Sequence, residues 1–193
     1  MLLAVSLASV IVVSGIGWYQ TQATLRTKIA DQLVGIRTSK TDQTELFFEN
    51  LYNQVGMLAG DSNVIKAMVE LNAGFRNLER NFVPSQSEKG LETYYTKQFL
   101  PRLKKNLFSE DPSFGKYRPT GQAARYLQYY YMADNPNPVG EKNKLFDAGD
   151  RSEYTKAHAK YHIFFQDIVE KFGYYDVFLI NHKTADVVYS YFK

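Results

Sequence analysis

The sequence predicts an α+β chain in which a long N-terminal helix leads into a helical region and then into the start of an antiparallel sheet. Two observations predict the helices: no proline occurs between Met1 and Phe82, and apolar residues recur there at steps of three and four. A third predicts the sheet, because two β-rich runs, 174–180 and 187–192, are separated by only six residues near the C-terminus.

Composition limits the chain to one domain of ordinary size plus an extension. The 193 residues are 45% hydrophobic and 22% charged, which excludes a collagen-like, low-complexity or generally disordered chain. The 23 basic and 20 acidic residues interleave along the whole sequence, so we expect no nucleic-acid partner. Cysteine is absent, which excludes disulfides, thiolate nucleophiles and cysteine zinc sites.

The most apolar part of the sequence is residues 1–19, which contain no charge; the first charged residue is Arg26. A run of about 20 apolar residues matches the ~30 Å hydrocarbon layer of a bilayer. Trp18 and Tyr19 fit an aromatic belt at its edge. A cleaved signal peptide is the alternative, but no basic residue precedes the apolar run and no small-x-small site follows it. We therefore expect a transmembrane helix over residues 1–19.

A long signalling helix is expected to continue over residues 20–60. Its apolar positions form a stripe along one face, interrupted by Lys40 and Thr44. Such a stripe needs a partner helix, which favours a homodimer joined through this segment. The stripe consists of Leu25, Ile29, Leu33, Ile36, Phe47, Leu51, Val55 and Leu58.

The remaining residues, 61–193, are predicted to fold as a sensor domain of four helices and a hairpin. Asp61, Thr120 and Ser152 can each begin a helix, because their side-chain oxygens can accept hydrogen bonds from free N–H groups of the first turn. Pro101 predicts a kink in the second helix. The four expected helices cover residues 61–82, 91–108, 120–131 and 152–172.

Loops are predicted where proline, glycine, asparagine and aspartate concentrate. Residues 134–140 are excluded from helix, because each proline disfavours the helical conformation of the residue before it. Residues 147–152 have the composition of a turn, and Gly173 is typical of a helix C-terminus. Residues 83–90 and 109–121 also have loop composition.

Several segments, among them ADNPNPVG (133–140) and FGYYDVFL (172–179), resemble the extracytoplasmic sensor region of bacterial transmembrane receptors. These regions are of the Cache type, which has a PAS-like fold. The resemblance covers nearly all of the chain after residue 35. The matching segments are residues 36–48, 64–75, 129–142, 152–162 and 172–193.

This resemblance implies a sensor in the bacterial inner membrane, with its ligand-binding part outside the cytoplasm. It implies that ligand binding is relayed through the membrane helix to a cyclase, chemotaxis or histidine kinase output that this chain lacks. It also implies that the PAS-like sheet is incomplete in this chain at its C-terminal end. Asn143 stands where the family usually has histidine, so any role of that histidine is absent here.

Six residues near the expected third helix and first strand are candidates for the lining of a ligand pocket. Tyrosine side chains supply both apolar surface and hydroxyl groups, and Asp134 or Asp176 could hold a cationic or amine group of a small molecule. The alternative is that the tyrosines only cover a helix end and fill the core. The candidates are Tyr129, Tyr131, Asp134, Asn135, Tyr174 and Asp176.

His158 and His162 are weak candidates for a metal site, because their spacing places both on one helix face. Ala159 stands where a metalloprotease motif has glutamate, and no third ligand is evident. Packing within the domain is the simpler interpretation. We therefore expect no metal and no other cofactor.

The leading hypothesis is the ligand-sensing input region of a membrane-bound signal transducer, with a small-molecule ligand. The first alternative is a membrane-anchored structural or assembly protein of pilin-like outline, although the N-terminal pattern of pilins is absent. The second is a tethered metal-dependent hydrolase. No nucleophile elbow, phosphate-binding glycine loop or dinucleotide fingerprint occurs, so any enzymatic activity would belong to an output module.

Overall fold

A computed structural model describes residues 2–80, 85–107 and 111–193. The chain divides into two compact units, Met1–Ala59 and Gly60–Lys193. The described residues are mostly helical, with a short two-stranded antiparallel sheet near the C-terminus. This confirms helices followed by an antiparallel hairpin; a complete PAS-like sheet is not present among the described residues.

The first unit is a single helix, α1, which runs over Leu2–Gly60. No proline interrupts it, and its apolar stripe faces solvent: Leu25, Ile29 and Leu33 are each more than half exposed. Tertiary packing usually supplies most of a helix's stability. Most of the apolar side chains of the stripe are exposed, whereas Leu51 and Leu58 are half-buried.

The predicted membrane span over residues 1–19 is wrong. Within the described part of the chain, no helix has both the length and the apolar content needed to cross a bilayer. Ser6, Ser9 and Ser14 lower the apolar content of this segment, and polar residues follow it from Gln20. The expected location in a bacterial inner membrane depended on this span and is wrong with it.

The second unit contains six α-helices and the hairpin among its described residues. Two π-helical turns, Tyr95–Phe99 and Tyr129–Ala133, continue helices α3 and α6, and a short 3₁₀ turn covers Lys142–Lys144. Strand β1 (Phe178–Ile180) pairs antiparallel with β2 (Val187–Ser190). The helices are α2 (Ser62–Arg80), α3 (Ser85–Tyr94), α4 (Leu100–Lys104), α5 (Phe114–Tyr117), α6 (Gln122–Gln128) and α7 (Glu153–Phe172).

Three predicted helix ends are confirmed by their hydrogen bonds. The Asp61 carboxylate accepts from the backbone N–H of Asn63 at 2.7 Å, at the start of α2. The Ser152 hydroxyl accepts from the N–H of Thr155 at 3.0 Å, at the start of α7. Gly173 ends α7 with φ +68°, the left-handed conformation that glycine adopts without steric cost.

Other predictions for this unit need correction. Residues 85–90 are helical, whereas the sequence predicted a loop over 83–90; residues 81–84 and 108–110 lie outside the described residues. At the predicted kink or split near Leu100, a π-helical turn precedes α4, and Pro101 occupies the first turn of α4. The expected loop over 109–121 contains the short helix α5.

Thr120 does not cap the fourth predicted helix. Gly121 is the residue before α6, and the cap comes from another helix: the Glu79 carboxylate accepts from the N–H groups of Gln122 and Ala123 at 3.2 and 2.8 Å. A carboxylate at this end is also favoured by the helix dipole. Glu79 therefore joins α2 to α6.

The centre of the unit is the packing of α2 against α7. Gly74 of α2 approaches the backbone of α7 so closely that a Cβ there would lie 2.6 Å from the Cα of Tyr154. Glu70 of α2 accepts from Lys160 and from the Tyr161 hydroxyl at 2.7 and 2.6 Å. The hairpin joins the same layer, because the Tyr154 hydroxyl donates to the backbone oxygen of Val188 at 2.7 Å.

Candidate functional site

The inner face of α7 carries two histidines that are fully buried, His158 and His162. Their rings stack with centroids 4.5 Å apart. The Nδ1 of His158 lies 2.8 Å from the backbone oxygen of Phe146. Because a carbonyl oxygen can only accept, Nδ1 carries the proton, and Nε2 presents its lone pair.

Both ring nitrogens of His162 make hydrogen bonds. Its Nε2 lies 2.6 Å from the backbone oxygen of Asn143 and therefore carries the proton. Its Nδ1 then accepts from the Tyr189 hydroxyl, 2.7 Å away. Burial, together with the positive charge of Lys193, lowers the pKa of His162 to about 4, so its ring is neutral at physiological pH.

These contacts determine whether the histidine pair can bind a metal ion. The lone pair of His162 accepts from Tyr189, and that of His158 faces the ammonium of Lys193. Neither ring has a free lone pair for a metal in this arrangement. Within residues 2–80, 85–107 and 111–193, no group of three histidine, aspartate or glutamate side chains could hold a metal ion.

Lys193 brings a positive charge into this aromatic region. Its Nζ contacts Nε2 of His158 and lies 3.4 Å from the backbone oxygen of Ser190. The same nitrogen lies 4.7 Å from the ring centroid of Tyr131 and 5.1 Å from that of Tyr189, both favourable cation–π positions. Burial lowers the pKa of Lys193 to about 7, opposed by attraction to the Asp176 carboxylate.

A cavity of about 220 Å³ lies beside Lys193, between α2, α6, the π-helical turn after α6 and β2. Its walls are mainly apolar, and the polar side chains among them are those of Gln128, Ser190, Lys193 and three tyrosines. This combination is typical of small-molecule sites, in which apolar surface supplies affinity and a few polar groups fix orientation. The residues that line the cavity include Phe75, Ala124, Leu127, Tyr131, Tyr189 and Lys193.

Of the six predicted pocket residues, the structure places Tyr131 in the cavity wall. Its hydroxyl lies 2.9 Å from the Thr155 hydroxyl, and its side chain is almost fully buried. Asn135 is also buried but belongs to the following loop, where its amide donates to the backbone oxygens of Tyr131 and Lys142 at 2.8 and 2.9 Å. Asp134 is exposed and does not line the cavity.

The other three predicted residues also lie outside the cavity lining. Tyr129 packs over Gly90 on α3, and Tyr174 stacks on Phe172 with ring centroids 5.5 Å apart. Asp176 lies behind the hairpin, where its carboxylate accepts from the Ser190 hydroxyl at 2.8 Å and from two backbone N–H groups. Asp176 thus holds the end of the hairpin and acts on Lys193 only through its charge.

Sequence reasoning missed Lys193 and Tyr189 as site residues. No local pattern reveals them, because Val188 and Tyr189 have opposite parity and are both buried. Strand β2 ends at Ser190, so strand alternation does not extend to Lys193.

Comparison with models of known protein families, with curated proteins and with solved structures finds no match. The resemblance to Cache-type sensors therefore stays a prediction that no family finding supports.

Proposed function

We propose that the second unit is the ligand-sensing input module of a signal-transducing protein, with the cavity beside Lys193 as its small-molecule site. The observation that carries this proposal is the combination of a 220 Å³ cavity, a mainly apolar wall and a half-buried lysine at that wall.

The position of the cavity suits a relay. Its wall includes Phe75 of α2, and α2 follows α1 directly after Asp61. The hairpin contributes β2 to the cavity wall, and its loop is bound to α2, because the Asn181 side chain donates to the Asn72 side chain at 2.8 Å. A ligand that binds one arrangement of α2 and the hairpin better than another would shift the population between them.

A screen of small acids, amines and neutral compounds by thermal unfolding tests this function. Ala124→Phe places a ring in the cavity, and Ala59→Phe on exposed α1 is the matched control. We expect at least one compound to raise the melting temperature of the native chain and of Ala59→Phe but not that of Ala124→Phe. The function is wrong if no compound does so, or if the responding compounds stabilise Ala124→Phe equally.

We also propose that α1 joins two copies of the chain as a homodimer. Support comes from the exposed apolar stripe of α1 and from its 59-residue length, which corresponds to roughly 90 Å at 1.5 Å per residue. Leu33→Glu should weaken self-association in analytical ultracentrifugation, and Gln32→Glu, on another face, should not. Equal association of both variants would contradict the dimer.

The hairpin is proposed to be the beginning of a larger PAS-like sheet. Phe178, Ile180 and Val187 on its outer face are each about half exposed, which is unusual for three neighbouring apolar side chains. Binding of a hydrophobic dye by the native chain, reduced in Ile180→Thr, would show that this face is open. Equal dye binding by both would contradict an open face.

A further inference from the structure

Among the described residues, the ammonium of Lys193 has only neutral groups in contact with it. These are the His158 ring, the backbone oxygen of Ser190 and the faces of Tyr131 and Tyr189. His158 is fully buried and its pKa lies well below the usual value, so it adds no negative charge and no second cation. Lys193 is half-buried, and a charge that is partly removed from water without a charged partner is costly.

Asp176 is the acidic residue that acts on this cation, and its oxygens are occupied elsewhere. Its Oδ1 accepts from the N–H groups of Val177 and Phe192 at 2.7 and 3.0 Å, and its Oδ2 accepts from the Ser190 hydroxyl at 2.8 Å. Moving this carboxylate onto Lys193 would break all three hydrogen bonds. The chain therefore attracts Lys193 from a distance but does not neutralise it by contact.

Lys142, which is buried in the second unit, differs from Lys193 in its hydrogen-bond partners. Lys142 donates to the backbone oxygen of Asn135 at 2.7 Å, and the Asn135 side chain donates back to the oxygen of Lys142 at 2.9 Å. Lys142 does not line the cavity. The hydrogen bonds between Lys142 and Asn135 close a loop, whereas Lys193 lies in the wall of the cavity.

We propose that the cavity binds a small organic acid whose carboxylate pairs with Lys193 and whose apolar body fills the space beside it. This inference rests on the proposed function and names its ligand class. A carboxylate supplies the negative charge that the contacts of Lys193 lack, and the low-dielectric surroundings strengthen the pair. An amine ligand would add a second positive charge beside Lys193, and a neutral ligand would leave the cation unpaired.

The volume of the cavity limits the size of the acid. An apolar cavity of about 150 Å³ accepts benzene, which has six heavy atoms, so 220 Å³ accommodates roughly nine. Phe75, Leu127 and Tyr131 line the space with aliphatic and aromatic surface, which suits one ring or a short branched chain. A monocarboxylate of the size of benzoate meets both conditions.

Isothermal titration calorimetry with three probes of similar size tests the charge requirement: benzoate, benzamide and benzylamine. We expect the native chain to bind benzoate at least tenfold more tightly than benzamide and to show no binding of benzylamine. Lys193→Met should remove the preference for benzoate and Lys193→Arg should keep it. Lys142→Met, the control for loss of a buried lysine, should retain native affinity.

Binding of benzamide or benzylamine as tight as that of benzoate would overturn the carboxylate inference and leave the cavity function standing. Absence of binding by all three would overturn it as well, and the compound screen then decides the function separately. If Lys193→Met does not fold, the ratio of benzoate to benzamide affinity in the native chain still decides, because that ratio needs no variant. An unchanged preference in a folded Lys193→Met would also overturn the pairing.

Discussion

Two lysines of the second unit, the buried Lys142 and the half-buried Lys193, lie in regions of opposite character. Around Lys142 the groups satisfy one another: the lysine and Asn135 exchange hydrogen bonds and fix the loop after the π-helical turn. Around Lys193 the same charge meets aromatic faces, a neutral histidine and a cavity. A lysine whose hydrogen-bond partners are all present within the chain stabilises the fold. A lysine without a charged partner at the wall of a cavity indicates a ligand site.

The largest expected effect comes from the contact that sets the distance between α2 and α7. Gly74→Ala would put a methyl group 2.6 Å from the Cα of Tyr154. Either α2 or α7 would have to move to relieve this clash, and both helices contribute to the cavity wall. We expect a loss of roughly 3 kcal/mol or more in the free energy of unfolding, measured with denaturant.

Gly115→Ala is the control for that substitution, because nothing lies within 4 Å of a Cβ there. Alanine should be neutral or stabilising at this helical position, by up to about 1 kcal/mol. Equal stability of the two variants would contradict the close packing of α2 on α7. The Lys142 loop, which Gly74 does not touch, should keep its native hydrogen-exchange protection wherever the Gly74 variant still folds.

Acid should destabilise the Lys193 region through its histidines. The pKa of His162 is about 4 in the folded chain because of burial, below its ordinary value of 6.5. Between these values the unfolded chain binds more protons, so stability is present above pH 6.5 and is lost as the pH falls towards 4. The loss should approach about 3 kcal/mol for this group.

Denaturant unfolding at several pH values between 4 and 7 measures this loss. His182→Gln is the control, since His182 is exposed in the hairpin loop and its removal should leave the acid transition unchanged. A free energy of unfolding that stays constant from pH 7 to 4 would show that His162 is not held neutral by burial.

Lys142→Met should have an intermediate effect and sharpens the contrast between the lysines. It removes the donor to the backbone oxygen of Asn135, and a hydrogen bond from a charged group contributes about 1.5–3 kcal/mol. Exposed Lys144→Met, which removes only a surface pair with Glu141, should cost less than about 1 kcal/mol. Equal losses for the two variants would contradict a structural role for Lys142.

The smallest effect is expected at the start of α6. Glu79→Gln keeps one acceptor oxygen but removes the negative charge at the helix N-terminus, so we expect a loss of about 1 kcal/mol. Glu92→Gln, at an exposed position of α3, is the control. Thermal unfolding of both variants shows whether the cap contributes; identical melting temperatures would mean that it does not.

Local signals predicted those parts of the fold that depend on neighbours in sequence. Asp61, Ser152 and Gly173 mark the ends of α2 and α7 because a cap acts within one helical turn. The hairpin followed from two β-rich runs and a short loop. The cap of α6 was missed because Glu79 lies more than forty residues earlier, a distance that no local pattern reveals.

The site was predicted less well than the fold, for a physical reason. Tyr131 was found because tyrosine suits a pocket wall, but Asp134 and Asp176 were chosen for their charge, which turns out to face solvent or backbone N–H groups. Lys193 was missed because a lysine beside an apolar run is normally a surface residue. The partial burial of Lys193 arises from tertiary contacts such as that with His158, which lies 35 positions earlier in the sequence.

The central claim is that the half-buried Lys193, whose lowered pKa leaves it only partly charged at neutral pH, pairs in its charged form with an anionic ligand. Nitrogen NMR of its ammonium, followed through a pH titration without and with benzoate, tests it most directly. The account predicts a pKa near 7 in the free chain, raised when benzoate binds because a carboxylate favours the charged form. An ordinary lysine pKa in the free chain, or no change at saturating benzoate, would contradict the claim.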